Sequence, residues 1–272
     1  MKELDERRVK PDNRVDFSKL DTNAKLGLDK DTVEKQLLDA QQRIASLQHK
    51  LWAENKRALL CVFQGMDASG KDGTVRDAFF LTNPDGVKVT SFKVPSAEEL
   101  DHDFLWRIHK AVPARGEIGV FNRSHYEDVL VVRVENIVPE SVWRPRYAQI
   151  NAFEQLLAAN GVTILKFFLH MSRDEQRKQL LERIHEPDKN WKFNADDFEK
   201  RKKWDDYMHA YEDALSETSA EHAPWFVIPA DRRWVRNYAV ATIIAETLER
   251  LDPKYPRLKL SELEMERLLN GQ

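Results

Sequence analysis

The chain has 272 residues, of which 42% are apolar and 33% are charged, and this composition predicts a globular protein with a sizeable core. A formal net charge of −3 and a pI near 6.3 argue against a globally basic nucleic-acid-binding protein. The single cysteine, Cys61, excludes an internal disulfide and a cysteine-based metal cluster, so a reducing cytoplasm fits best.

The sequence also lacks the signals that direct a chain into or across a membrane. No apolar run approaches the roughly 18 residues that a membrane-spanning helix needs. The charged opening segment, MKELDERRVKPD, lacks the apolar core of a signal peptide. We therefore expect a cytoplasmic protein that neither spans a membrane nor binds nucleic acid.

Residues 1–30 are polar and weakly patterned, and we expect an N-terminal arm that wraps the body of the protein or a neighbouring subunit. A helix is predicted from about Asp31 to Asn55, with Asp31 as its N-cap and Glu34 completing a capping box. A single apolar stripe follows this helix and predicts packing on the body, with a coiled-coil dimer seam as the alternative. The stripe consists of Val33, Leu37, Ala40, Ile44, Leu47 and Leu51.

From residue 58 onward, short apolar segments alternate with helical segments. Near-continuous apolar runs are typical of strands buried on both faces of a parallel sheet. The alternation predicts an α/β domain over residues 31–255, with a five-stranded, mostly parallel sheet flanked by helices. A C-terminal tail over residues 256–272 is expected to follow. The strands are predicted at 58–64, 87–92, 116–122, 162–171 and 225–230.

Residues 65–71, GMDASGK, have the G-x-x-x-x-G-K spacing of a phosphate-binding loop. The segment follows an apolar strand and opens a helical stretch, which is the setting that phosphate binding requires. There, successive backbone N–H groups form an anion nest at the positive end of a helix. An ordinary glycine-rich turn is the alternative. The predicted phosphate-binding residues are Gly65, Ala68, Ser69, Gly70, Lys71, Asp72 and Gly73, and Lys71 is also predicted to be catalytic.

Two carboxylates occur in and beside this loop, although it is built to bind anions. Asp72 stands where a phosphate loop normally has the Ser or Thr that holds magnesium, but an acid in a first helical turn complements the helix dipole. A carboxylate about 5 Å from a phosphate costs roughly 3 kcal/mol at an effective dielectric of about 20, unless a divalent cation lies between them. We therefore predict that Asp67 is a catalytic Mg²⁺ ligand, directly or through water, with an Asx-type turn cap as the alternative.

Four segments resemble the polyphosphate kinase 2 family, in the expected order and across roughly residues 30–255. They are QGMDASGKDGTVR (64–76), KVTSFKVPSAEELDHDFLWRIHKAVPARGEIGVFNRSHYEDVLVVRV (88–134), EPDKNWKF (186–193) and KRKKWDDYMHAYEDAL (200–215). The resemblance implies a P-loop kinase fold with a helical lid, which here would cover about residues 173–205. It also implies Mg²⁺, with Mn²⁺ as the alternative ion, and phosphoryl transfer between inorganic polyphosphate and nucleotides.

The segment FNRSHYED at the end of the third strand indicates the kind of acceptor. Asn122-Arg123 stands where most of the resembled family has Asp-Arg, and a hydroxyl acceptor would need that carboxylate as a base. A phosphate acceptor does not, because a second pKa of about 6 leaves it largely ionised near neutral pH. The segment resembles the subgroup that accepts both AMP and ADP, which implies catalytic roles for Asn122, Arg123 and Glu127 and metal binding by Glu127. An acidic first helical turn is the alternative for Glu127.

Further contacts are expected around the two substrates. Arg133 is predicted to contact acceptor phosphates, with a surface ion pair as the alternative. Arg177 and Arg183 of the lid would converge on polyphosphate and exclude water, with a solvated helix pair as the alternative. The predicted nucleotide-binding residues are Lys88, Lys93, Asn122, Arg123 and Trp191, and lid anchoring is the alternative for Trp191.

The leading functional hypothesis is a reversible, Mg²⁺-dependent phosphotransferase that uses polyphosphate to convert AMP to ADP and ADP to ATP. The acceptor is expected to be an adenine nucleotide, with a guanine nucleotide as the alternative. An ATP-dependent nucleoside or nucleotide kinase on the same fold is the enzymatic alternative, and a nucleotide-sensing protein without turnover is the other. The arm and the long first helix suggest a homo-oligomer, either a dimer or a tetramer.

Overall fold

The five predicted strands form one sheet in the computed structural model, which describes residues 2–258 and 260–271. The sheet order is β2-β3-β1-β4-β5, and all four strand pairs are parallel, so the predicted α/β architecture is confirmed. The strands are β1 (Ala58–Gln64), β2 (Val87–Ser91), β3 (Ile118–Asn122), β4 (Val162–His170) and β5 (Trp225–Pro229).

Helices lie between the strands and at both ends of the chain. None of the helices in the described ranges combines the length and hydropathy that a membrane-spanning helix requires. The helices are α1 (Lys2–Asp5), α2 (Lys30–Glu54), α3 (Lys71–Ala78), α4 (Ala97–Leu100), α5 (Trp106–Ala111), α6 (Glu127–Val134), α7 (Glu140–Trp143), α8 (Arg146–Ala159), α9 (Arg173–His185), α10 (Asp196–Lys202), α11 (Trp204–Thr218), α12 (Arg233–Leu251) and α13 (Glu262–Leu269).

The central strand β1 determines where the functional loops meet. It is fully buried and pairs with β3 on one side and with β4 on the other. In this register Phe63 lies opposite both Asn122 and Phe167. Because the strands are parallel, the segments that follow β1, β3 and β4 leave the sheet at the same edge, where ligands bind in open α/β sheets.

Strand β2 departs from the prediction that all strands are buried on both faces. It pairs only with β3, at one end of the sheet, and Val89 is 54% exposed. The prediction is wrong for this strand because its position at the edge of the sheet depends on strand order, which its own residues do not encode.

Helix α2 begins two residues earlier than predicted. Its N-cap is Asp29, whose side chain accepts a hydrogen bond from the backbone N–H of Asp31 at 3.1 Å. Asp31 instead lies in the first turn, so its prediction as N-cap was wrong. The predicted apolar stripe packs into the core, largely against α12, and Ile44 and Leu51 are fully buried there. The packing on the body was therefore predicted correctly.

The N-terminal arm packs on the same chain. Backbone hydrogen bonds join it to β5, from Val9 N–H to the carbonyl of Trp225 (2.8 Å) and from Val227 N–H to the carbonyl of Arg7 (2.9 Å). Apolar side chains of the arm, Leu4, Val9, Val15 and Phe17, are buried.

The predicted ends of the chain fall partly outside the described residues. Met1 of the predicted arm is not described, and neither are Lys259 and Gln272 of the predicted C-terminal tail. The described part of the tail includes α13, which begins with a capping box between Ser261 and Glu264.

Phe17 anchors the arm, and its removal should destabilise the whole fold. Its ring stacks on Phe168 and His170, with centroid distances of 4.8 and 4.7 Å. We expect Phe17→Ala to lower the free energy of unfolding by about 3 kcal/mol, because it leaves a cavity over the sheet. Lys19→Ala in the same turn, where the side chain is 80% exposed, should cost less than about 0.5 kcal/mol. Equal urea midpoints for both variants would show that the arm is not part of the cooperative fold.

Candidate active site

The predicted phosphate loop, residues 65–71, joins β1 to α3 and has an unusual backbone. Gly65, Ala68 and Gly70 have φ angles of +149°, +67° and +89°. A Cβ atom on Gly65 would lie 2.8 Å from the hydroxyl of Ser69 and 3.0 Å from the carbonyl oxygen of Leu169, so only glycine fits there. This conformation, at the amino end of a helix, is suited to binding an anion through backbone N–H groups.

Lys71 is buried and folds back over the loop. Its ammonium donates to the carbonyl oxygens of Gly65 (2.7 Å) and Met66 (3.1 Å). Burial and the charge of Arg123 lower the pKa of Lys71 to about 8, against the opposing effect of the nearby carboxylates led by Asp67. The ammonium therefore has carbonyl partners, and its positive charge is available to a bound anion.

Asp67 is the meeting point of three separate parts of the chain. Its carboxylate forms an ion pair with Arg123, which follows β3, and another with Lys200 of α10 at 3.3 Å. Burial would raise the pKa of Asp67, but the charges of Arg123, Lys71 and Lys200 outweigh it and hold that pKa below its usual range. The carboxylate is thus ionised and already neutralised by protein cations.

The end of β3 brings the other predicted catalytic residues to the same edge. Asn122 donates a side-chain hydrogen bond to the carboxylate of Asp72. Arg123 has a φ of +62°, and its Nη1 lies 3.9 Å from the carboxylate of Glu127. Although burial alone would lower the pKa of Arg123, Glu127 and Asp67 raise it. The structure therefore brings Asp67, Asn122, Arg123 and Glu127 together with the phosphate loop.

The predicted lid comprises α9, a 3₁₀ turn over Pro187–Lys192, α10 and the start of α11. Besides Lys200, Gln176 of α9 reaches the loop, where its side-chain amide donates to the carbonyl oxygen of Asp67 at 3.0 Å. Arg201 in turn donates to the side chain of Gln176 at 2.9 Å. The lid segment therefore touches the phosphate loop directly.

Four predicted contacts form no hydrogen bond or ion pair with the phosphate loop in the described parts of the chain. Arg133 pairs with Asp213 at 2.8 Å, which is the surface ion pair given above as its alternative. Arg183 pairs with Asp197 at 2.6 Å inside the lid, and Arg177 is exposed. Trp191 is 78% exposed, which does not favour lid anchoring, the alternative given above.

A second concave site lies beside β2. It is a cavity of about 550 Å³, lined in part by the carboxyl end of β2 and by both predicted lysines, Lys88 and Lys93. Arg107 and Lys110 add two further cations to its wall. Lys88 forms an ion pair with Glu117 at 2.6 Å, and Arg107 donates to the carbonyl oxygen of Lys93 at 2.8 Å. The cavity thus presents cations next to the strand that leads to Asn122.

A buried polar network supports the segment after β3. Lys166 of β4 donates to the carboxylate of Glu154 (2.6 Å), the hydroxyl of Tyr126 (2.9 Å) and the carbonyl oxygen of Thr218 (2.7 Å). The network ties Tyr126, directly before α6, to β4 and α8, so it fixes the position of the β3–α6 connection. A lysine inside the apolar strand VTILKFFLH was the sequence signal that could have revealed it.

The phosphate loop is also contacted by Lys200, Gln176 and Arg236, which no sequence pattern assigns to it. Lys200 lies in the run KRKK, but the pattern does not show which of the four cations turns toward the loop. Arg236 of α12 donates to the carbonyl oxygen of Ser69 at 3.0 Å, from 167 positions away in the sequence. No local pattern signals a contact over that separation.

Comparison with known proteins supports the interpretation of residues 65–71 as the phosphate loop of a kinase fold. The family model "Polyphosphate kinase 2 (PPK2)" matches residues 27–256. An AMP/ADP-polyphosphate phosphotransferase from Meiothermus ruber is 51% identical over 252 residues, covering 92% of this chain and 94% of that protein. An ADP-polyphosphate phosphotransferase from Rhodopseudomonas palustris is 49% identical over 262 residues, covering 92% and 91%. The crystal structure of polyphosphate kinase 2 from Arthrobacter aurescens TC1 is 38% identical, covers 99% of this chain and 97% of its own, and superposes with a TM-score of 0.94.

Asp128 should make stability depend on pH. Burial raises its pKa to about 6, although Arg146 donates to its carboxylate at 3.2 Å. A raised carboxyl pKa gives a stabilising contribution that is present below the ordinary pKa of 3.8 and is lost as the pH rises through about 6. Between pH 4 and 7 the wild type should therefore lose about 2 kcal/mol of unfolding free energy relative to Asp128→Asn. A difference in unfolding free energy between the two proteins that stays constant over this pH range would contradict the raised pKa of Asp128.

Proposed function

The chain belongs to the polyphosphate kinase 2 family, and we propose that it transfers a phosphoryl group between inorganic polyphosphate and the nucleotides AMP and ADP. The observation that carries the proposal is the phosphate loop, where Lys71 folds over the backbone and the carboxylate of Asp67 forms ion pairs with Arg123 and Lys200. An ATP-dependent kinase would use a similar loop, but the names of the relatives favour polyphosphate as the donor.

We propose that the polyphosphate chain binds across the phosphate loop. The backbone N–H groups of the loop would hold one phosphate, and Lys71 would exchange its carbonyl partners for phosphate oxygens. Lys200 would bring a further positive charge from the lid side. Arg177 and Arg183 stay predicted contacts, which would need the lid to rearrange around the donor.

Mg²⁺ is proposed as the metal ion, with Mn²⁺ suited to the same ligands. Mg²⁺ is usually held by one or two carboxylates together with substrate phosphates, and Asp67 and Glu127 supply two carboxylates around Arg123. The metal-ligating side chains in residues 2–258 and 260–271 include no cluster of three, so phosphates and water would complete the coordination. The ion would neutralise charge on the transferring phosphoryl group.

The acceptor nucleotide is proposed to bind in the cation-lined cavity beside β2, with its phosphate directed toward Arg123. An oxygen of that phosphate would attack the terminal phosphorus of polyphosphate, and the bond from this phosphorus to the bridging oxygen would break. The leaving group is a chain shortened by one phosphate. No general base is required because the attacking oxygen is already ionised, which suits Asn122 at the end of β3.

The cellular setting is also a proposal. We propose a cytoplasmic enzyme that forms a homo-oligomer and uses adenine nucleotides, with guanine nucleotides as the second class to be tested. The free, buried thiol of Cys61 supports a reducing compartment. The unpaired edge of β2, together with the exposed side chains of Phe80 and Val89, supports assembly with further copies.

The donor preference is tested by incubating the protein with Mg²⁺ and AMP and supplying either long-chain polyphosphate or ATP. We expect ADP and then ATP to form from polyphosphate, and Lys71→Ala to slow this reaction by about 100-fold or more while circular dichroism stays unchanged. Product formation from ATP but not from polyphosphate would overturn the proposal. Wild-type activity in Lys71→Ala would overturn the assignment of the loop.

The contact from Lys200 to Asp67 predicts a role for one particular cation of the KRKK run. Lys200→Met should raise the KM for polyphosphate by about tenfold, because one positive charge near the donor is lost. Lys202→Met is the matched control, since Lys202 is 69% exposed and pairs with Glu199 at 2.7 Å. Its KM should stay within about twofold of the wild-type value. Similar KM values for both variants would contradict a specific role for Lys200.

A further inference from the structure

Arg236 places a buried guanidinium directly behind the phosphate loop. It projects from the first turns of α12 and is 7% exposed. Its Nη1 donates to the carbonyl oxygen of Ser69 at 3.0 Å, and its Nε donates to the side-chain oxygen of Asn237 at 3.2 Å. Both acceptors are neutral, so neither balances the charge.

This guanidinium has no ion-pair partner among residues 2–258 and 260–271. Arg233, one turn earlier on the same helix, pairs with Asp77 at 3.2 Å and is 65% exposed. Burial and the charge of Arg233 lower the pKa of Arg236 to about 10, against the opposing effect of Asp77 and Glu175. The first turn of α12 contains no acidic residue either. Asn237, which accepts from Arg236, donates to Asp77, so the nearest carboxylate is reached only through this amide. A buried charge without a direct ion-pair partner is destabilising, so its presence behind a predicted anion site needs an explanation.

The contact with the loop is close and specific to one peptide group. A Cβ atom on Gly70 would lie 2.2 Å from Nη1 of Arg236, so the guanidinium packs against the glycine backbone. The carbonyl of Ser69 and the N–H of Gly70 belong to the same peptide unit. A hydrogen bond to that carbonyl polarises the unit and strengthens its N–H as a donor. The N–H of Gly70 has no hydrogen-bond acceptor in the described ranges of the chain.

We propose that Arg236 is a positioning residue for the donor, and that the countercharge of its guanidinium is the phosphate chain bound on the other side of the loop. The inference rests on the proposed function of residues 65–71 as the polyphosphate site. Arg236 fixes and polarises the Ser69–Gly70 peptide and leaves the loop with a surplus positive charge. The destabilising effect of the unpaired charge in the free protein is relieved when the polyanion binds.

This arrangement separates donor affinity from the stability of the free protein. Arg236→Met removes a buried charge that lacks a partner, so the ligand-free variant should unfold at the wild-type temperature or above it. The same variant should bind inorganic tripolyphosphate about tenfold more weakly, because the loop loses one nearby positive charge. Its affinity for AMP alone should not change, since Arg236 lies outside the cavity beside β2.

The experiment measures the Kd of inorganic tripolyphosphate and of AMP by calorimetry, and the unfolding temperature without ligand, for the wild type and three variants. Arg236→Lys keeps the charge and should recover most of the tripolyphosphate affinity. Arg233→Met is the matched control and should bind tripolyphosphate like the wild type.

Three kinds of result overturn the inference. Wild-type tripolyphosphate affinity in Arg236→Met would show that the guanidinium does not serve the donor. A clearly lower unfolding temperature, a loss of folding or a matching loss of AMP affinity in that variant would show a structural role only. If the wild type itself does not bind tripolyphosphate, the proposed function fails together with the inference. If the wild type and Arg236→Met bind tripolyphosphate equally well, the inference alone fails.

Discussion

The ion pairs of Asp67 are the interaction on which the arrangement of the site depends. They join the phosphate loop after β1 to Arg123 after β3 and to Lys200 in the predicted lid. The loop after β1 and Arg123 after β3 meet because parallel strands end at one edge of the sheet, and Lys200 reaches the same place from α10. The carboxylate therefore keeps these two cations close together in the free protein, although like charges would otherwise repel one another.

Two sets of buried charged residues in this protein have different roles. Lys166 and Glu154 form a complete buried pair that is satisfied within the protein and supports the segment after β3. Lys71 and Arg236, in contrast, donate to carbonyl oxygens at the phosphate loop and have no carboxylate partner within hydrogen-bonding distance in the described chain. Lys166 and Glu154 are thus a structural charge pair, whereas Lys71 and Arg236 give the phosphate loop a surplus of positive charge. We propose that polyphosphate, a dense polyanion, supplies the missing negative charge.

Much of the fold and part of the site could be predicted from local patterns. Apolar runs located all five strands, and the glycine and lysine spacing located the phosphate loop. The exposure of β2, the capping of α2 by Asp29 and the contact of Arg236 with Ser69 depend on tertiary neighbours, which no local pattern specifies. The nature of the donor came from the resemblance to a family, because a phosphate loop does not by itself distinguish polyphosphate from ATP.

The most direct test of the proposed donor and metal site is a crystal structure with tripolyphosphate and Mg²⁺ bound. We expect Lys71 and Lys200 to contact phosphate oxygens, and the ion pairs of Asp67 with Arg123 and Lys200 to be replaced by metal coordination that includes Asp67 and Glu127. A structure in which both ion pairs persist, and in which tripolyphosphate lies away from residues 65–71, would contradict this account of the site.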